Sequence, residues 1–103
     1  MTTTAEPLRL LNSTVVKAHH GTFLAPRDDL VTRHLEEYGG HTRPFIAMAV
    51  ALIESGDVVL DIGAHIGSFT LPFARAVWPD GVVVAFEPNM LTNELLEINS
   101  ELN

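Results

Sequence analysis

Two short stretches carry the residues best suited to chemistry. Asp61-Ile-Gly-Ala-His-Ile-Gly67 sets a carboxylate and an imidazole around two glycines, and Glu87-Pro88 supplies a second carboxylate 26 positions after Asp61. Gly63 and Gly67 allow a tight backbone turn and the close approach of a ligand, and amides opening a following helix favour a negatively charged group there. Ionised Asp61 only accepts hydrogen bonds, so it suits a ligand ammonium, held directly or through water. Glu87 has two acceptor oxygens and can receive both vicinal hydroxyls of a ribose. The pair therefore points to a nucleoside-type cofactor.

These residues need elements that deliver them to one place. Asp57-Val-Val-Leu-Asp-Ile62 is a β-branched apolar run of strand length with the composition of an interior parallel strand, and Gly63 to Gly67 turns the chain. A helix is expected over Ser68 to Trp78, with Phe69, Phe73, Ala76 and Val77 as its buried side, ending at Pro79-Asp80-Gly81. Gly81 to Phe86 reads as a second buried strand, and Leu91, Leu95, Ile98 and Leu102 then recur at helical spacing. Strand, helix, strand, helix implies a parallel pair with a right-handed crossover, and ligands of such sheets sit at the carboxyl ends of the strands, where both clusters fall. The fold class expected is α/β.

Upstream, Val15-Val16 and Thr22-Phe23-Leu24 flank His20-Gly21 and predict a small β-hairpin over residues 14 to 25. Asp28-Asp29 can cap a short amphipathic helix with Val31, His34, Leu35 and Tyr38 on one face, closed by Gly39-Gly40. Pro44 suits the first turn of a second helix, whose body Phe45 to Ile53 is apolar nearly all round and should be well buried. The division expected is a flexible tail over 1–13, a hairpin and two helices over 14–56, and the start of a cofactor domain over 57–103. Two strands do not complete a parallel sheet, so the reading is of an incomplete domain whose open edges invite self-association.

Composition removes several function classes. Thirteen acidic against six basic residues give a formal net charge of -7, which argues against a nucleic-acid partner. With no cysteine there is no thiol nucleophile or zinc-thiolate site, which suits a cytoplasmic protein. The opening residues lack the pattern of a secretory signal, and the run from Phe45 to Ile53 is too short to cross a bilayer, so no membrane role is expected. His19 and His20 are adjacent on an expected strand and so face opposite ways, while Gly39-Gly40 separates His34 from His41; no metal site is assigned. Trp78, Phe69, Phe73 and Phe86 are expected in the core.

An acid after the second strand also occurs in dinucleotide folds, so the glycine pattern must decide. Pyrophosphate binding calls for G-x-G-x-x-G, whereas Gly63 and Gly67 are separated by Ala64-His65-Ile66 with a carboxylate just upstream. That spacing disfavours NAD. The stretch Val58-Val-Leu-Asp-Ile-Gly-Ala-His-Ile-Gly-Ser-Phe-Thr70, with Val82-Val-Val-Ala-Phe-Glu-Pro88, Leu96-Glu-Ile-Asn99 and the earlier Leu35-Glu-Glu-Tyr-Gly39, resembles the FkbM family of class I methyltransferases that use S-adenosylmethionine (SAM). The likeness covers residues 28 to 103 and implies a Rossmann-like parallel sheet.

By that resemblance Asp61, Gly63, Ala64 and Gly67 line the methionine side of SAM and Glu87 holds the ribose, with His65 in the same cofactor-lining turn. Family members usually carry Asn at the position of His65. The resemblance implies methyl transfer to a hydroxyl of a sugar, polyketide or similar metabolite, so the partner expected is a small-molecule or glycan acceptor. The family pattern continues through further strands carrying the adenine contacts, the acceptor pocket and any base. No catalytic residue is assigned, since a histidine in a turn is more often a polar filler than a base. The alternative reading is a non-catalytic cofactor-binding or interaction module.

Overall fold

The computed structural model describes residues 12–103. Of the tail expected over 1–13 only the last two residues fall in that range, and Ser13 already opens a strand. The described residues are α/β: a two-stranded antiparallel hairpin, a two-stranded parallel pair and four helices. Strands β1 (Ser13–Ala18) and β2 (Gly21–Pro26) pair from Ser13 with Pro26 to Ala18 with Gly21. His19 and His20 form the turn between them, not adjacent strand positions, and their rings meet edge to face at 4.8 Å.

Helix α1 (Leu30–Tyr38) begins where its sequence predicts. Asp29 is extended and its carboxylate accepts from the amides of Val31 at 2.9 Å and Thr32 at 3.4 Å. Gly39 ends the helix in the left-handed region and donates to the Leu35 carbonyl. The buried residues are Thr32 and Leu35, whereas Tyr38 is exposed. The face drawn by apolar spacing is therefore rotated toward a threonine.

Helix α2 (Arg43–Ala51) carries Pro44 in its first turn as expected. Its burial differs from the sequence reading: only Ile46 is buried, and Phe45, Met48 and Leu52 stand exposed. An all-apolar helix needs neighbours on every side, and here α3 (Thr70–Val77) lies against it with Phe45 and Phe69 6.0 Å apart.

Strand β3 (Val58–Ile62) runs parallel to β4 (Val82–Phe86), with Val58 opposite Val82 and Ile62 opposite Phe86. Helix α3 packs on the face holding Val59, Asp61, Val83 and Ala85. The other face, Val58, Leu60, Ile62, Val82, Val84 and Phe86, is exposed, so neither strand is interior in the sense its composition suggests. Trp78 is also exposed at 74%, and it and Phe86 are not core residues. Phe73 is buried and meets Phe69 edge to face.

Helix α4 (Met90–Leu102) is capped by Asn89, whose side chain accepts from the Thr92 amide at 3.1 Å. It buries Leu95, Leu96 and Asn99 and leaves Leu102 exposed. The core forms between the hairpin and the helices: Val16, Phe23 and Ala25 meet Leu35, Ile66, Leu71 and Leu95. Ile66, fully buried, belongs to the glycine turn, so the turn is anchored from below by the core it caps. Among the described residues no helix is long and apolar enough to cross a membrane.

Candidate functional site

The last rung of the parallel pair organises the site. Ile62 pairs with Phe86, which sets Asp61 just before that rung and Glu87 just after it, both at the carboxyl end of the sheet. The amides of Gly63 and Ala64 both donate to the Phe86 carbonyl, at 2.9 and 3.0 Å, so the turn leaves β3 by folding over the end of β4. His65 then takes φ 55°, a left-handed conformation that histidine tolerates better than most residues, and its amide donates to Glu87 Oε1 at 2.9 Å. Gly67 closes the turn by donating to the Ala64 carbonyl at 3.0 Å.

Gly67 is required twice over. Its φ is 103°, and a Cβ there would lie 3.2 Å from Leu96 Cδ1 of α4. Gly63, at φ 79°, has the same backbone need but open space around the missing side chain.

The two carboxylates are held differently. Asp61 is 8% exposed and its Oδ2 accepts the Thr70 hydroxyl at 2.6 Å, a bond from the first turn of α3 that fixes its rotamer. Glu87 is half-buried and is oriented by two backbone amides, His65 to Oε1 and Asn89 to Oε2 at 3.0 Å. A carboxylate offers about four lone-pair sites, so these two bonds aim it and leave acceptor capacity toward a ligand.

The resulting turn has an unusual polarity for a glycine-rich loop. The amides of Gly63, Ala64, His65 and Gly67 all donate within the protein, while Asp61 and Glu87 contribute acceptors. A phosphate requires donors and would find those four amides engaged. A ligand ending in an ammonium and vicinal hydroxyls has the complementary donors.

His65 contributes its backbone more than its ring. The imidazole turns toward the start of α1, with Nε2 3.9 Å from Asp29 Oδ1, while Nδ1 is buried without a hydrogen-bond partner among the described residues. Beyond it, His34 and His41 stack at 5.2 Å and share a hydrogen bond between their Nδ1 atoms at 2.9 Å. Burial, then the neighbouring His34 and His65, hold the His41 imidazole below its ordinary pKa, and Asp29 opposes them. Among the described residues no group of three or more side chains is arranged to hold a metal ion.

Three supporting residues were not apparent from the motifs as site residues. Thr70 pins Asp61, Asn89 orients Glu87 while capping α4, and Asn99 donates through Nδ2 to the carbonyl of Ile66 at 2.9 Å. Only Asn89 had a local signal, an Asn after a proline and before an apolar periodic run. No family model matches this chain, and no curated protein matches it significantly.

Proposed function

We propose that this chain carries the cofactor-binding part of a SAM-dependent methyltransferase, built on a Rossmann-like sheet and acting on a hydroxyl-bearing small molecule or glycan. The observation that carries the reading is the acceptor-rich character of the turn: the amides of Gly63, Ala64, His65 and Gly67 are engaged internally, and the carboxylates of Asp61 and Glu87 are fixed at the carboxyl end of the sheet. That character fits SAM, whose ammonium and ribose hydroxyls are donors, and opposes a pyrophosphate cofactor. The FkbM-like motif spanning Val58 to Thr70 supports the same assignment.

SAM, when bound, supplies a methyl group already activated by its sulfonium. In this reading Asp61 takes the ammonium, Glu87 takes the ribose hydroxyls, and the backbone at Gly63, Ala64 and Gly67 permits close approach of the chain between them. His65 contributes by presenting its amide to Glu87. These residues bind and orient; acceptance of the methyl group needs in-line alignment and exclusion of water, and a base only where the acceptor must lose a proton.

Calorimetric titration of the purified chain with SAM, beside NAD at equal concentration, tests the proposal. Saturable SAM binding without NAD binding is expected. A folded chain that binds neither, or binds NAD as well as SAM, would refute it. Glu87→Ala should weaken SAM binding by about 1 to 3 kcal/mol through loss of charge-assisted hydrogen bonds. Unchanged affinity in a variant of native circular dichroism would remove Glu87 from the ribose site.

A further inference from the structure

A second concavity lies away from the glycine turn, between the hairpin turn, α1 and α2. Its volume is about 730 Å³, within the range of small-ligand sites, and its floor is the fully buried Ile46. One wall is polar: His19 and His20 from the hairpin turn, His34 from α1, and Arg43 at the start of α2. The other is apolar, formed by Ala47 and Val50 on successive turns of α2.

The charge at this place runs against the chain as a whole. The protein carries a formal net charge of -7 with only six basic side chains, yet among the described residues no carboxylate lines the cleft. His20 lies within the field of both Arg43 and Arg75, the latter donating to the His20 carbonyl. Among the described residues Arg43 makes a long hydrogen bond from Nη1 to the Tyr38 carbonyl at 3.4 Å, and no carboxylate there pairs with it. Its guanidinium has five donors in a fork that matches a carboxylate.

We propose that this cleft binds a small amphiphilic anion, a carboxylate on an apolar body, with the head group on Arg43 and the histidine wall and the body on Ala47 and Val50. The site shares no residue with the turn from Asp61 to Glu87 and holds whether or not that turn takes SAM. The ring nitrogens of His19, His20 and His34 add hydrogen-bonding groups beside the guanidinium, and an apolar floor favours a ligand with a hydrophobic end over a small hydrated ion.

The test is a ¹H–¹⁵N NMR titration of the full chain with phenylacetate, phenylacetamide and phenyl phosphate. Phenylacetate is expected to shift the amides of His20, Gly40, Ala47 and Val50 saturably, with phenylacetamide at least tenfold weaker. Arg43→Gln should weaken phenylacetate at least tenfold. Ala47→Trp, which fills the apolar wall and leaves the charges in place, should abolish binding. Both positions are exposed, so neither change removes core packing. Equal binding of the amide, an unaffected Arg43→Gln, or shifts confined to residues 61–67 and 87 would overturn the proposal. Tighter binding of phenyl phosphate at the same amides would overturn the carboxylate assignment.

Discussion

Asn99 shows how much one buried polar residue can hold. It is fully buried, and its side-chain amide accepts from Leu24 N at 2.7 Å and donates to Leu24 O at 3.0 Å and Ile66 O at 2.9 Å. It thus pairs with β2 as a neighbouring strand would, while holding the glycine turn from below. Asn99→Ala would strand three backbone groups, and a loss of about 2 to 4 kcal/mol is expected in urea unfolding; a loss under about 1 kcal/mol would mean that water or another side chain replaces these bonds. Hydrophobic periodicity could not find this residue, because the pattern through Leu95 and Ile98 scores an asparagine as solvent-facing. The glycines were legible in kind but not in degree. Gly63→Ala is expected to cost about 1 to 2 kcal/mol from backbone strain alone, and Gly67→Ala more, since its Cβ also presses on Leu96. Equal losses would show that Leu96 yields freely.

Element boundaries were readable wherever a local signal set them: Asp29 and Asn89 cap α1 and α4, Gly39 closes α1, and Pro44 opens α2. What sequence could not tell was which way a helix faces when apolar residues surround it, and α2 accordingly buries Ile46 and exposes Phe45. Nor did spacing indicate that His34 and His41 would meet across the glycines that separate α1 from α2. Their shared hydrogen bond requires one ring to accept, so at least one must be neutral. The pKa of His41 is lowered by burial and by His34 and His65, against the pull of Asp29, so the unfolded chain binds its proton more readily than the folded one. Stability is then fully present above the ordinary imidazole value of about 6.5 and lost as pH falls through the lowered folded value. His20 is lowered too, by burial, then His19, Arg75 and Arg43, and acts in the same direction. Urea unfolding at pH 7.5 and pH 5.5 should show lower stability at pH 5.5, with a smaller difference in a His34→Gln, His41→Gln double variant. An identical pH dependence in that variant would show that the pair does not contribute.

At the scale of the whole molecule, the parallel pair is covered on one face by α3 and bare on the other. Val58, Leu60, Ile62, Val82, Val84 and Phe86 line the bare face, 39% to 78% exposed. Both strands have the composition of a sheet covered on two faces, and the expectation that they are interior fails on this face, because composition records what a strand is suited to and not what stands next to it. Parallel sheets are otherwise found with both faces covered, and a contiguous apolar surface of this kind drives association. The purified chain is therefore expected to bind a hydrophobic dye and to self-associate with rising concentration in sedimentation equilibrium. The edges of β3 and β4 offer a second route, through backbone pairing, and substitution separates the two. Leu60→Thr with Val84→Thr keeps strand propensity and every ladder hydrogen bond while making the face polar, so it should shift the chain toward monomer if the face is responsible. Association unchanged by that pair would assign it to the edges, and a wild-type chain that stays monomeric at high concentration without binding dye would show that neither surface is adhesive in water.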